Sequence, residues 1–495
     1  MNGVAARGAA GASSTGMNPF RFFRFAAAVF VCGPFLFASL APLSAQVAAE
    51  KPLVSAGKPA LGVPEWVRNS TIYEINVRQF SASGKFSAVT DELPRLRELV
   101  VNVLWLMPVH PIGEHNRKGP LGSYYAVKDY RAINPEFGTA EDFRKLVEAA
   151  HAQGFRVIMD WVGNHSAWDN PLAQEHPEFY VRTPDAQGKL NFIPPLGTDW
   201  DDVIQFDFKN RAVWDYQYEA MAFWIREYNI DGFRCDFATG LPTPAWNYIT
   251  AKLRALRPDI FMLAESEQPQ HQLAAFNASY GFTMMHTIND VAQGRAGATA
   301  SRIDDTLART RVLFPDGAAL LYYTSNHDEN SWAGTEYERL GGGTRAFAVL
   351  TFVLDGIPLI YNGQEIGLDR RLEFFQRDPI VWPVRAHPNA AFYRTLCELK
   401  KTHPALRTGA PMRRLPTTAN ESLCVILRDA ADGSGRRVLA LLNLTARDVT
   451  GADIYMYDPA LAGAWRDVFT GKTTTLSPAA PLALRAWEYR VFVSE

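Results

Sequence analysis

Residues 156–165 read Arg-Val-Ile-Met-Asp-Trp-Val-Gly-Asn-His, an apolar run of strand length that ends in polar side chains. Similar short runs complete a predicted set of eight strands, at 72–77, 103–107, 156–160, 232–236, 260–264, 282–286, 320–325 and 357–361. Amphipathic stretches between them predict helices, at 90–100, 139–153, 211–228, 244–257 and 344–354. Continuous apolar strands separated by helices favour a parallel sheet covered on its outer face. Eight such units predict an α/β fold, a (β/α)8 TIM barrel, rather than an open doubly wound sheet.

The segments around this barrel have different compositions. The barrel is assigned to residues 66–405, with a short polar, proline-rich excursion after the third strand at about 166–205. Alternating apolar runs with turn residues between them follow, and they predict a C-terminal all-β sandwich domain at 410–495. Residues 46–65 are interpreted as a linker.

The first 45 residues are predicted to be a secretory signal peptide. Two arginines precede an apolar segment at 25–43, and small residues follow it, which is the usual order of charged, apolar and cleavage regions. A single membrane anchor is the alternative, but Gly33, Pro34 and Pro42 weaken it as a helix. The sequence therefore predicts an exported protein, periplasmic or extracellular, that contacts a membrane only through its cleaved signal.

The charge balance argues against nucleic acid as a partner. Lys and Arg number 50 against 52 Asp and Glu, a formal net charge of −2 at pH 7, and no long basic run occurs. Because binding to a phosphate backbone needs a cationic surface, nucleic acid is not an expected partner. The cysteines beyond the predicted signal, Cys235, Cys397 and Cys424, are an odd number in distant segments and predict no disulfide framework.

Polar side chains follow the predicted strands at the end where such barrels carry their catalytic groups. They are Asp160, Asn164 and His165 after the third strand, Arg234 and Asp236 on the fourth, Glu265 after the fifth, and Asn326, His327 and Asp328 after the seventh. Arg234 and Asp236 point to the same face of a strand, so the guanidinium is expected to keep that carboxylate ionised. The apolar residues before Glu265 are expected to raise its pKa. Two carboxyl groups in such opposed environments are typical of glycoside hydrolysis.

Seven motifs in order resemble those of glycoside hydrolase family 13, the α-amylase family. Four are the strand-end sequences Asp160-Trp-Val-Gly-Asn164-His165, Gly232-Phe-Arg-Cys-Asp236, Ala264-Glu265 and Ser325-Asn326-His327-Asp328. The other three are Val103-Leu-Trp-Leu-Met-Pro108, Gly122-Ser-Tyr-Tyr125-Ala-Val-Lys-Asp129-Tyr130 and Gly356-Ile-Pro-Leu-Ile-Tyr-Asn-Gly-Gln-Glu365. The resemblance covers about residues 66–405.

This resemblance implies a role for each residue at a matching position. Asp236 would be the nucleophile that forms a covalent glycosyl-enzyme, and Glu265 would be the general acid and later the base. Asp328 would be a third carboxylate that binds ring hydroxyls and distorts the sugar. The implied substrate-binding residues are Arg234, His165, His327, Asn326 and Tyr125, the last by stacking on the sugar in the cleavage subsite. Asp160 and Asn164 would support the site structurally.

No metal or other cofactor is expected. In many members of the family a Lys and a His follow the fourth-strand motif, and the His gives its carbonyl to calcium, whereas Thr239 and Gly240 stand at those places here. The Asp-rich calcium loop after the first strand is replaced by Ser81-Ala-Ser-Gly-Lys-Phe86, which lacks carboxylate ligands. A calcium ion could still use the Gly240 carbonyl, but its usual ligands are not evident.

The resemblance predicts a retaining glycoside hydrolase that cleaves α-glucosidic bonds of maltooligosaccharides or related α-glucans. The first alternative is an α-glucan transglycosylase or sugar isomerase with the same three carboxylates, in which a sugar rather than water accepts the glycosyl group. A non-catalytic glycan-binding homologue is the second alternative. It is disfavoured because Asp236, Glu265 and Asp328 are all present.

Overall fold

The computed structural model describes residues 57–383, 385, 387–453, 461–476 and 481–494. The predicted signal peptide and residues 46–56 of the predicted linker lie outside this part of the chain. None of the helices within it is long and apolar enough to cross a membrane. The predicted domain boundaries stay predictions.

Eight parallel strands form a closed barrel. They are β1 (Ile72–Ile75), β2 (Val103–Leu106), β3 (Arg156–Val162), β4 (Gly232–Asp236), β5 (Phe261–Ala264), β6 (Ala278–Tyr280), β7 (Leu320–Tyr322) and β8 (Ile357–Tyr361). Each strand pairs with its neighbours in chain order, and β1 also pairs with β8, which closes the barrel. The predicted (β/α)8 barrel is confirmed.

Helices cover the outside of the barrel. The α-helices of the described residues are Val77–Phe80, Phe86–Asp91, Leu93–Glu98, Ala140–Ala152, Leu172–Glu175, Arg211–Tyr228, Thr243–Leu256, His271–Ala274, Phe282–Ala292, Ser301–Leu313, Glu336–Leu340, Thr344–Val353 and Pro388–Thr402. Local sequence defines several of their ends. Thr139 and Asp142 form a capping box before the fourth of these helices. Asn210 caps the start of the sixth, and Asn229 ends it in the left-handed conformation that asparagine tolerates.

The predicted sixth strand, 282–286, is wrong. These residues begin the helix Phe282–Ala292, and the strand is the preceding Ala278–Tyr280. The buried residues of the helix, Met284, Met285, Ile288 and Val291, recur at helical spacing, which a short apolar window does not reveal. A strand of only three residues gave too weak a signal of its own.

The predicted helix 90–100 is also different, because two helices occupy this region. Phe86–Asp91 ends before Glu92, and Leu93–Glu98 starts with Pro94 in its first turn. Proline has no N–H to continue the earlier helix, but it fits the first turn of a new one.

The excursion after β3 contains two pairs of short antiparallel strands, and the second pair lies between the two strands of the first along the chain. His165–Ala167 pairs with Val203–Gln205, and Arg182–Pro184 pairs with Leu190–Phe192, both antiparallel. The excursion therefore begins and ends beside β3. Its Trp200 ring packs against the His165 ring, with the ring centroids 5.4 Å apart.

The C-terminal strands form two antiparallel sheets. They are β9 (Met412–Arg414), β10 (Leu423–Asp429), β11 (Arg437–Asn443), β12 (Val449–Ala452), β13 (Gly463–Asp467), β14 (Thr473–Leu476), β15 (Leu482–Leu484) and β16 (Tyr489–Ser494). Six strands pair in the order β9-β10-β11-β16-β13-β14, and β12 pairs with β15. An apolar cluster that includes Leu427, Leu441, Ala452, Trp465 and Leu484 draws residues from both sheets. The predicted all-β sandwich is confirmed.

One buried arginine joins this sandwich to the barrel. Arg428 of β10 donates to the carbonyls of Val353, Arg407 and Ala410, and it lies 3.3 Å from the Asp355 carboxylate. Charge-assisted hydrogen bonds of this kind are stronger than neutral ones, so Arg428 stabilises the contact between the sandwich and the barrel.

His110 is a buried histidine whose surroundings predict sensitivity to acid. Its ring packs against Tyr130, Trp161 and Trp224, and neither ring nitrogen has a hydrogen-bond partner among the described residues. Burial lowers its pKa to about 3. The unfolded chain therefore takes up a proton below about pH 6.5 that the folded state resists, and stability falls as the pH decreases from there.

We expect His110→Leu to reduce this loss of stability in acid. At pH 5 His110 costs about 2 kcal/mol relative to pH 8, so the difference in Tm between the two pH values should narrow by about 2–4 °C in the variant. A loss of packing in the variant lowers the Tm at both pH values, and it therefore cancels in the difference between them. His115→Leu, at an exposed histidine, is the control for the loss of a histidine as such. A difference as large in His110→Leu as in the unaltered protein would contradict the prediction.

Candidate active site

Two carboxylates lie side by side at the carboxyl end of the barrel. Asp236 is the last residue of β4, and Glu265 follows Ala264, the last residue of β5. The strands pair with Cys235 opposite Ala264, and the Glu265 N–H donates to the Cys235 carbonyl at 3.0 Å. Because neighbouring strands lie about 4.8 Å apart, this register sets Asp236 next to Glu265.

The guanidinium of Arg234 joins these carboxylates. It is fully buried. Its Nη1 lies 2.8 Å from Asp160 Oδ1 and 3.1 Å from Asp236 Oδ1, and its Nη2 lies 2.8 Å from Glu265 Oε1. Its Nε donates to the Tyr280 hydroxyl at 3.1 Å. One cation therefore faces three carboxylates.

The pKa values of the two neighbouring carboxyls shift in the same direction. Burial raises the pKa of Asp236 well above its usual range, and the charge of Glu265 raises it further. Burial also raises the pKa of Glu265, and Arg234 opposes that shift. Arg234 lowers the pKa of Asp236, as the sequence predicts, but its charge is shared with Asp160 and Glu265, and the ionised state of Asp236 stays a prediction. Since the two carboxylates repel each other, a proton on one favours the ionised form of the other.

The backbone after Asp236 positions Glu265. Phe237 has a φ of 39°, in the left-handed region that a bulky residue rarely adopts. Its N–H donates to Glu265 Oε2 at 2.7 Å, and the N–H of Ala238 donates to the Glu265 carbonyl at 3.2 Å. Such strain costs roughly 1–3 kcal/mol and persists only where the surroundings require it. The strained turn holds the Glu265 carboxylate beside Asp236.

The segment after β7 adds His327 and Asp328. His327 Nε2 lies 3.3 Å from Asp328 Oδ2 and 2.7 Å from the Tyr125 hydroxyl, which donates to Asp160 Oδ2 at 3.1 Å. The rings of Tyr125 and His327 stack with their centroids 5.6 Å apart. The side chain of Asp328 is 43% exposed, whereas Asp160 is fully buried. Asp328 is therefore open to a substrate, and Asp160 contacts only protein groups.

Glu74 belongs to this group of residues, although none of the sequence motifs predicts it. It lies in β1, fully buried, and its Oε1 accepts a hydrogen bond from His327 Nδ1. Burial would lower the pKa of His327, but the charges of Asp328 and Glu74 raise it to about 9. Its signal in the sequence is a single acid inside the apolar run 72–77, within the strand rather than at its end.

Comparison with known proteins identifies the family. A family model described as the alpha-amylase catalytic domain matches residues 64–390. The chain belongs to the alpha-amylase family. Alpha-amylase MalA from Haloarcula japonica is 30% identical over 406 residues, an alignment that covers 80% of this chain and 56% of that relative. The chain thus spans little more than half the length of this alpha-amylase.

Other members of the alpha-amylase family are similar over different spans. The crystal structure of an alpha-amylase from Lactobacillus plantarum aligns with a TM-score of 0.74 at 30% identity, over 87% of this chain and 99% of that one. An alpha-1,4-glucan:maltose-1-phosphate maltosyltransferase from Cereibacter sphaeroides is 34% identical over 218 residues, 40% of this chain and 36% of that relative. The similar proteins therefore include both an amylase and a transferase.

Within this alpha-amylase fold, His165 and Asn326 have protein partners. His165 is buried with its Nδ1 3.3 Å from Asn164 Nδ2, and burial lowers its pKa to about 4, so the ring is neutral at pH 7. Asn326 Oδ1 accepts a hydrogen bond from the Glu329 N–H at 2.7 Å and so begins the helical turn after Asp328. Their contacts with a sugar stay predictions, as does the stacking of Tyr125.

The surroundings of Asn164 do not fit the calcium ion that the alpha-amylase family implies. Asn164 Oδ1 is buried without a hydrogen-bond partner among the described residues, which is the kind of atom a cation could use. However, calcium takes six to eight oxygen ligands, several of them from carboxylates. The described part of the chain has no group of three or more His, Cys, Asp or Glu side chains that could hold a metal ion. That the protein binds no metal stays a prediction.

Proposed function

We propose that this protein is a retaining glycosidase that cleaves α-glucosidic bonds in maltooligosaccharides or related α-glucans. The observation that carries the proposal is the pair Asp236 and Glu265, on adjacent strands and both within 3.1 Å of the Arg234 guanidinium. Retaining glycosidases need two carboxyls about 5 Å apart, and two carboxylates on neighbouring strands that share one guanidinium support that arrangement.

The proposed reaction has two steps. The Asp236 carboxylate attacks the anomeric carbon while Glu265 gives its proton to the glycosidic oxygen, so the leaving sugar departs and a glycosyl ester forms on Asp236. Ionised Glu265 then takes a proton from water, and the resulting hydroxide displaces Asp236 from the anomeric carbon. Asp328 and His327 bind sugar hydroxyls in both steps. Asp236 is ionised before the first step, and Glu265 is ionised after it. Arg234 faces both carboxylates and can therefore stabilise the negative charge on either one.

Transglycosylation is the alternative outcome of the second step. The ester on Asp236 can be attacked by a sugar hydroxyl instead of water, and the similarity to a maltosyltransferase keeps this alternative open. A non-catalytic role is disfavoured because Asp236, Glu265 and Asp328 stay partly exposed, with 12%, 17% and 43% of each side chain accessible.

The stereochemistry of the product tests the proposal. When the protein is mixed with maltotriose, ¹H NMR within the first minutes should show the α anomer of the new reducing end, followed by slow mutarotation. A protein sample with Asp236→Asn controls for contaminating activity. First appearance of the β anomer, or no cleavage, would overturn the retaining mechanism. At high maltotriose concentration, products longer than the substrate would show that transfer competes with hydrolysis.

The same protein is proposed to act outside the cytoplasm. The support is the charged, apolar and small-residue order of the first 45 residues, which lie outside the described part of the chain. Expression of the full chain in a Gram-negative host, followed by mass spectrometry of the periplasmic and secreted fractions, tests this proposal. We expect a form that lacks about 45 residues, and uncleaved protein confined to the cytoplasm would contradict it.

A further inference from the structure

A buried carboxylate inside the barrel is not explained by the proposed reaction. Glu74 is on β1, where Ile72 of the same strand belongs to the inner apolar cluster with Trp105 and Leu359. Glu74 Oε2 has no hydrogen-bond partner among the described residues, and Oε1 bonds only His327 Nδ1. A charge in such a place is costly unless it is paired, so its role must come through His327.

Hydrogen bonds continue from His327 to the catalytic carboxylates. Nδ1–H donates to Glu74, and a second proton on Nε2 would donate to the Tyr125 hydroxyl, 2.7 Å away. Tyr125 then donates to Asp160 Oδ2 at 3.1 Å, and Asp160 Oδ1 lies 2.8 Å from Arg234. In this series of hydrogen bonds, His327 donates to both Glu74 and Tyr125, and Tyr125 donates to Asp160. That arrangement requires His327 to carry both ring protons.

We propose that Glu74 is a positioning residue that keeps His327 doubly protonated, so that the Nε2–H donates to the Tyr125 hydroxyl and the Tyr125 proton is directed at Asp160. This inference rests on the proposed function. When His327 loses a proton, Nε2 becomes an acceptor and competes with Asp160 for the Tyr125 proton. Asp160 Oδ2 then loses the hydrogen bond from Tyr125, while Oδ1 stays beside Arg234.

The charges around His327 favour its protonated form. Glu74 faces it from β1, Asp160 from β3, Glu265 from the end of β5, and Asp328 is its neighbour in the chain. Arg234 on β4 is the opposing cation, and it is already paired with three of the nearby acids. The pKa of His327 is accordingly raised to about 9, which places its deprotonation on the alkaline side of the activity profile.

Glu74→Gln tests the inference because the amide keeps the size of the side chain and removes its charge. The alkaline limb of kcat/KM for maltotriose should shift to lower pH by roughly one to three units, while the activity at pH 6 stays within a few-fold of the unaltered protein. A merely structural loss would lower activity at every pH by the same factor. The His327 pKa of the folded variant, read from the NMR titration described below, shows whether the shift belongs to His327 or to Glu265, and an unshifted His327 pKa would overturn the proposal.

A matched control is Glu336→Gln. Glu336 is also a buried glutamate, but it bonds Thr324 and Gln364 rather than His327. Its substitution should leave the alkaline limb unchanged. The Tm of both variants, measured at pH 6, separates a shift in protonation from a loss of folding.

A second measurement does not need an active enzyme. In the unaltered protein, ¹³C-labelled histidine followed by NMR should give one ring that stays protonated to about pH 9, identified by its absence in His327→Gln. A His327 pKa at or below 6.5 would overturn the proposal. Because this titration does not depend on turnover, it distinguishes failure of the Glu74 role from failure of the proposed glycosidase activity.

Discussion

Asp236→Asn is expected to lower kcat for maltotriose by on the order of 10⁴-fold or more. The amide oxygen is a poor nucleophile toward the anomeric carbon, so the glycosyl ester does not form. The side chain keeps its size beside Arg234, and the loss should therefore appear in kcat with little change in fold. Initial rates of reducing-sugar release, with the Tm of the same samples, measure it. A variant that retains more than about 1% of the activity would contradict the assignment of Asp236.

The nucleophile can also be tested by replacement from solution. In Asp236→Gly the carboxylate is removed and space is left at the end of β4. With α-glucosyl fluoride as substrate, added azide should restore turnover and give β-glucosyl azide, because azide attacks from the face that Asp236 occupied. Azide should have no such effect on the unaltered protein. Formation of the α product, or no rescue, would argue against a nucleophile at this position.

Glu265→Gln is expected to have an effect that depends on the leaving group. For maltotriose the first step needs a proton on the glycosidic oxygen, so kcat/KM should fall by roughly 10²–10⁴-fold. For α-maltosyl fluoride the fluoride departs without that proton, so kcat/KM should fall by less than about tenfold. The ratio between the two substrates is the diagnostic quantity, since general damage to the site would lower both values equally.

Glu267→Gln is the matched control for this substitution. Glu267 is two residues further along the same segment, and its carboxylate accepts hydrogen bonds from the Thr283 hydroxyl at 2.6 Å and the Thr283 N–H at 3.1 Å. It bonds Thr283 rather than Arg234, so both substrates should be cleaved at close to the normal rate. Equal losses for both substrates in Glu265→Gln would contradict the role of Glu265 as general acid.

The barrel was predictable because its signals are local. Apolar runs of strand length, such as those that became β3 and β4, indicate buried strands without knowledge of their partners. The error at 282–286 has a local cause too. Phe-Thr-Met-Met-His fits a short strand or the start of a helix equally, and the choice depended on packing of Ile288 and Val291 further along.

The sequence by itself determined that Asp236, Glu265 and Asp328 would gather at one end of the barrel. Each follows a recognisable strand, and the parallel order of a barrel brings strand ends together whatever the details of packing. It determined the family as well, because the motifs that carry the chemistry are short and ordered along the chain.

Only the tertiary structure decided how charge is shared within that group. Arg234 was predicted to serve Asp236, but it also faces Asp160 and Glu265, 74 positions earlier and 31 later in the chain. The pairing of Glu74 with His327 spans 253 positions, and no pattern in the sequence around one residue indicates the other. Protonation depends on burial and on distances of a few ångströms between residues far apart in the chain, and those quantities exist only once the barrel has closed.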